Sequence, residues 1–119
     1  MECRVREEIQ VTDEALIGEI NTAYRRLGVA AEDLARTDRE LAAHVRRVRL
    51  DNAEAILEAR NERTANLYID GLLDTEEHLA LEAARSRAEV NLQHARLEVE
   101  RLQLIVRLLG TRAGEGTRG

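Results

Sequence analysis

The chain has 119 residues, of which 44% are hydrophobic and 34% charged, and its formal net charge is −5. This length suits one modest domain, and this balance excludes a disordered polyelectrolyte. Proline, phenylalanine and tryptophan are absent and there are only two tyrosines, which argues against strand-rich folds. The single cysteine excludes an intramolecular disulfide.

The first part of the chain predicts an arm followed by a short helix. Residues 1–11 show little apolar periodicity and are predicted to form a flexible arm. Thr12 followed by two acids is typical of a helix start, and Gly28 after two arginines and a leucine is typical of a helix end. Apolar residues at helical spacing join these signals, so a helix over residues 13–27 is expected.

Two longer helices are predicted over residues 31–69 and 75–109. Gly71 is expected to end the earlier one, and the acidic run that starts at Asp74 is expected to cap the later one. Apolar residues in both recur every three or four positions, the spacing of a coiled-coil seam. The seam predicted to form the core and the oligomer contact consists of Leu41, Val45, Val48, Asn52, Ile56, Leu81, Leu92, Val99, Leu102 and Val106.

A link of about four residues forces consecutive helices to run antiparallel. The predicted fold is therefore all-α: a long antiparallel helical hairpin (coiled coil) preceded by a short helix, forming a three-helix or dimeric bundle. Residues 12–110 would form one helical domain, and residues 111–119 a disordered tail. A turn at residues 70–74 makes residue i face roughly 143 minus i. The charge pairs expected from this register are Arg46, Arg47 and Arg49 opposite Glu98 and Glu100, and Glu58 opposite Arg85.

Candidate chemistry is sparse in this sequence. His44, His94 and Glu98 are the candidate metal ligands, because the predicted register brings them near one another. The Glu-x-x-His pair of di-iron bundles is missing from the inward stripe, so surface histidines and no cofactor are favoured. Since no phosphate-binding loop, nucleophile elbow or pocket with paired carboxylates is visible, the chain is predicted not to be an enzyme. The acidic balance, and an arginine run without interleaved aromatic residues, argue against nucleic-acid binding.

The predicted turn carries apolar and acidic residues that suit contact with a partner. The partner-binding residues predicted there are Arg63, Leu67, Tyr68, Leu72, Leu73 and Asp74. Arg63, Leu67 and position 74 have the spacing R-x3-L-x6-S, which resembles the hairpin-tip pattern of the periplasmic adaptor (membrane-fusion) proteins of tripartite efflux pumps. The run from Leu67 to Asp74 is also similar to the last hairpin of TolC-type outer-membrane channels. The adaptor serine is Asp74 here, and both residue types cap helices.

This resemblance implies that Arg63, Leu67 and Asp74 contact a channel protein. It covers residues 40–110 only, and no lipoyl-like domain or β-barrel accompanies it.

The sequence therefore predicts a non-enzymatic assembly protein. Its apolar stripes would form a homodimer, and its tip or first helix would dock an unknown partner protein. The alternatives are an efflux-adaptor-like hairpin, a metal-binding helical bundle, and a regulatory coiled coil with an acidic tip at Asp70, Asp74, Glu76 and Glu77. The charged start of the chain lacks the apolar segment of a secretory signal, which favours a cytoplasmic location, or a periplasmic one if a signal was removed. No apolar run is long enough to span a bilayer.

Overall fold

The computed structural model describes the backbone of residues 2–118 and the side chains of residues 13–111. This part of the chain forms four helices: α1 (Glu2–Asp51), α2 (Ala53–Leu57), α3 (Glu62–Leu72) and α4 (Glu76–Arg118). It contains no strand, and α1 packs against α4, so the predicted all-α helical hairpin is confirmed. The predictions of a flexible arm at 1–11 and a disordered tail at 111–119 fall almost entirely outside the described side chains.

Helix α1 is continuous through Gly28, so the predicted end of a short first helix there is wrong. No glycine whose backbone is described has a positive φ, and Gly28 therefore does not adopt the left-handed cap conformation. Seam positions continue on both sides of it at Leu27 and Ala30. Packing along this stripe outweighs the low helix propensity of one glycine. The residues assigned to a separate first helix are part of α1, and the predicted three-helix bundle is replaced by a two-helix hairpin.

The chain reverses at residues 58–61, between α2 and α3, and not at the predicted residues 70–74. Asn52 ends α1: its side-chain amide donates to the Val48 carbonyl at 2.8 Å, which competes with the helical backbone bonds. Asn61 then starts α3, because its side chain accepts the Thr64 backbone N–H at 2.8 Å. Asparagine side chains therefore end α1 and start α3, and the short helix α2 lies between Asn52 and the reversal.

Residue pairs across the hairpin confirm that the chain does not reverse again before α4. Tyr68 on α3 meets Asn52, and His78 and Arg85 on α4 meet His44 and Asp38 on α1. In all three pairs the two residue numbers add up to roughly 122, whereas the predicted turn requires a sum of roughly 143. The interruption at residues 73–75 is a break between two consecutive helices, where Thr75 Oγ1 accepts the His78 backbone N–H at 3.2 Å.

The chain divides into two compact units, which α1 and α4 both traverse. Unit 1 comprises Met1–Ala31 and Asn91–Gly119, and unit 2 comprises Glu32–Val90. The core of unit 1 is aliphatic, with Ala23, Val99 and Leu102 buried together. The buried residues of unit 2 are more polar and consist of Thr37, His44, Ile69, His78 and Ala88.

Candidate functional site

A pair of buried histidines is the most unusual feature of unit 2. His44 on α1 and His78 on α4 occupy facing positions, with ring centroids 5.5 Å apart and planes inclined by 30°. Their side chains are only 9% and 8% exposed. Histidine is seldom buried this far without partners for both ring nitrogens, so the surroundings of each nitrogen decide what the pair can do.

Each imidazole has a carboxylate on one side only. His78 Nε2 lies 3.0 Å from Glu82 Oε1, and because a carboxylate only accepts, this nitrogen carries the proton. His44 Nδ1 lies 3.7 Å from Glu77 Oε1, which is too long for a hydrogen bond. The other nitrogens, His44 Nε2 and His78 Nδ1, are buried and have no hydrogen-bond partner in the part of the chain that the structure describes.

The metal ligands predicted from sequence are placed differently. His44 is buried against His78, whereas His94 is exposed and belongs to unit 1. Glu98, also in unit 1, accepts hydrogen bonds from Arg101 at 2.7 and 3.2 Å. Among the described side chains, no group of three or more His, Cys, Asp or Glu residues is arranged to hold a metal ion. Sequence reasoning missed His78 because the register it used was displaced by about twenty residues.

The predicted tip residues lie on α3 and in the link to α4. Only Arg63, in the first turn of α3, borders the reversal, and the other five lie farther along the chain. Leu67 and Tyr68 are 64% and 41% exposed, Arg63 and Asp74 are also exposed, and Leu72 and Leu73 are half-buried. The interpretation of these six residues as a hairpin tip is therefore wrong. Their exposure leaves α3 available as a surface, with Ile69 buried on its opposite side.

The predicted seam residues are placed as follows. Leu92, Val99 and Leu102 are buried, whereas Val106 is 44% exposed. The remaining predicted seam residues are half-buried: Leu41, Val45, Val48, Asn52, Ile56 and Leu81.

The predicted charge pairs are replaced by others. Arg85 pairs with Asp38 across the hairpin of unit 2, and not with Glu58; this bond and the nearby negative charge raise the pKa of Arg85. Glu98 pairs with Arg101 one turn later on α4, and not with the arginines at 46, 47 and 49. The hydrogen bond from Arg101 lowers the pKa of Glu98, and the positive charges of Arg101 and Arg26 act in the same direction.

Unit 1 contains a groove of about 240 Å³ between α1 and α4. Tyr24 Oη accepts a hydrogen bond from Gln103 Nε2 at 2.9 Å across it. The other residues that line it are Ile20, Ala23, Val99, Leu102 and Val106. The groove is therefore apolar with a single polar bridge, which suits an aliphatic side chain better than a charged ligand.

Comparison with other proteins gives no assignment: no family model, curated protein or solved structure matches the chain. None of the helices in the described chain has the length and apolar character needed to cross a bilayer.

Proposed function

We propose that this chain is a non-enzymatic assembly protein that forms a homodimer through the apolar surface of unit 1. One observation carries the proposal: more large apolar side chains are exposed in this unit than are buried in it. Those buried are Leu92, Val99 and Leu102, whereas those at least 40% exposed are Ile17, Tyr24, Val29, Leu97, Leu104, Val106, Leu108 and Leu109. Large apolar side chains exposed in such numbers are typical of an interface.

The spacing of these residues supports a helical partner. Leu97 and Leu104 on α4 are seven residues apart, and Leu108 follows four residues later. Positions separated by seven and four residues lie on one helix face, as in helix-pairing seams.

A second copy of the chain is the occupant that fits this face. A two-fold dimer would pack the Leu97, Leu104 and Leu108 face of one α4 against the same face of the other copy. The charges beside this surface have both signs, since Arg26 lies near Glu98 and Glu19 near Arg101. A surface with both signs can meet its own copy without like-charge repulsion.

The test is light scattering after size-exclusion chromatography over a range of concentrations. We expect twice the monomer mass of 13.4 kDa for the natural chain. Leu104→Glu should weaken the dimer by roughly tenfold or more, since each 1.4 kcal/mol is about tenfold and buried interface side chains commonly exceed it. Circular dichroism should remain helical. A monomer at every concentration would contradict the proposal.

Leu67→Glu is the matched control, because Leu67 is as exposed as Leu104 but lies on α3 in unit 2. This variant should dimerise normally. If it dissociates and Leu104→Glu does not, α3 is the interaction surface. The dimer surface would then lie in unit 2, and the proposed surface of unit 1 would be wrong.

A further inference from the structure

We propose that His44 and His78 form a binding site for one divalent transition-metal ion, with His44 Nε2 and His78 Nδ1 as its protein ligands. The site lies within unit 2 and is independent of the proposed dimer surface. It shares His44 with the predicted set of metal ligands, but it contains His78 and not His94 or Glu98.

The unpartnered nitrogens are the first argument. Both are buried, and each lacks a hydrogen-bond partner among the described residues. Buried polar atoms in native proteins are almost always satisfied, and an orphan atom calls for a bound water or ion.

The carboxylates are the second argument. A histidine that ligates a metal donates its other ring N–H to a carboxylate or carbonyl, which fixes the tautomer and aims the lone pair at the ion. Glu82 accepts from His78 Nε2, and Glu77 lies beside His44 Nδ1. Neutral His78 therefore has its proton on Nε2 and its lone pair on Nδ1, and Glu77 lies on the corresponding side of His44.

The separation of the two rings is the third argument. With metal–nitrogen bonds of about 2.1 Å, two imidazoles that share an ion can have centroids up to roughly 6.5 Å apart. The observed separation of 5.5 Å is within this limit. The rings come from different helices, so an ion held by both would link α1 to α4.

The ligand type defines the class of ion. Neutral imidazole favours Zn²⁺, Ni²⁺ and Cu²⁺ over the hard ions Mg²⁺ and Ca²⁺, and Cu²⁺ binds tightest in a given site. Two protein ligands leave the remaining coordination positions to water. Glu77 is largely exposed beside His44 and marks the side from which an ion can enter.

The decisive experiment is a titration of the folded chain with ZnCl₂, followed by NMR of the histidine ring nitrogens. A Cys3→Ser background removes the only thiol. We expect one ion per chain, with shifts of His44 Nε2 and His78 Nδ1 and no comparable shift in the exposed His94. Saturation without a shift of both buried nitrogens, or no binding at all, would overturn the proposal and leave the pair bridged by water only.

Variants test the assignment by a second measurement. At a concentration of 100 times Kd, Zn²⁺ should raise the folding equilibrium constant about 100-fold, provided that it does not bind the unfolded chain. His44→Gln and His78→Gln should each abolish this gain, whereas His94→Gln should retain it. Glu82→Gln, a positioning change, should weaken Zn²⁺ binding by roughly 10–100-fold without changing the stoichiometry. If Zn²⁺ stabilises the His78→Gln variant as much as the natural chain, the proposed site is wrong.

Discussion

At the residue scale, the ion pair between Glu98 and Arg101 affects the titration of Glu98. The hydrogen bond from Arg101 lowers the pKa of Glu98. A lowered folded-state pKa adds stability above the ordinary carboxyl range, and this contribution is lost as the pH falls through the lowered value. Both side chains are about half exposed, so the contribution to stability is small. The pKa itself is the more sensitive measure.

We therefore expect Arg101→Gln to raise the pKa of Glu98 towards its ordinary value, because the largest cause of the shift is removed. The measurement is a pH titration of the Glu98 side-chain carboxyl carbon by NMR. Arg107→Gln is the control, since it removes an exposed arginine from the same helix without touching this pair. An unchanged Glu98 pKa in Arg101→Gln would show that the pair does not form.

Residue-level pairing could not be predicted without the register. The predicted register places Glu98 opposite the arginines at 46, 47 and 49, and Arg85 opposite Glu58. Arg85 instead meets Asp38, and Glu98 meets its neighbour Arg101. Charges in a chain with so many arginines and acids find opposite charges in almost any register, so charge matching does not select one.

At the element scale, a substitution at Gly28 distinguishes the continuous α1 of the structure from the helix end predicted there. In a helix interior, Gly28→Ala should stabilise the fold by about 0.5–1 kcal/mol. Open space surrounds the position that the new methyl group would occupy. If Gly28 were instead a left-handed helix cap, Gly28→Ala would destabilise the fold. Urea denaturation at fixed protein concentration measures the difference, and Gly18→Ala, also within α1 and also open, should give a similar gain.

The start of α4 was more predictable than the turn, whereas the helix starts predicted at residues 13 and 31 fall inside α1. The capping signal before α4 was expected at Asp74, and the structure places the capping oxygen one residue later, on Thr75. The reversal at 58–61 contains neither glycine nor proline. Asn61 starts the helix that follows it, and Asn52 ends α1 six residues before it. An isolated asparagine is compatible with a helix surface, so this signal was too common to select the turn.

The predicted apolar seam is interrupted for a related reason. On α1 the buried stripe runs through Ala30, Thr37 and His44 with regular spacing, and on α4 it includes His78. A search for apolar periodicity passes over the polar members. It therefore breaks one long repeat into two helices and misses His78, the second residue of the metal proposal.

At the scale of the whole molecule, the fold class was predictable and the register was not. Composition and a repeat of three and four residues are sufficient to indicate a helical hairpin. Moving the reversal from residues 70–74 to residues 58–61 changes every facing pair, because each residue added to one arm is removed from the other. Ala23 consequently packs against Val99 and Leu102, whereas the predicted register would place it opposite the end of the chain.

This contact gives the last prediction, which concerns closure of the hairpin within one chain. We expect nuclear Overhauser effects from the Ala23 methyl group to the methyl groups of Val99 and Leu102, since these side chains are buried together. In a dimer they must be shown to be intramolecular, so a mixture of labelled and unlabelled chains is measured with isotope filters. Signals between differently labelled chains only would mean that α1 pairs with α4 of another copy. The dimer surface would then have to be sought elsewhere on the molecule.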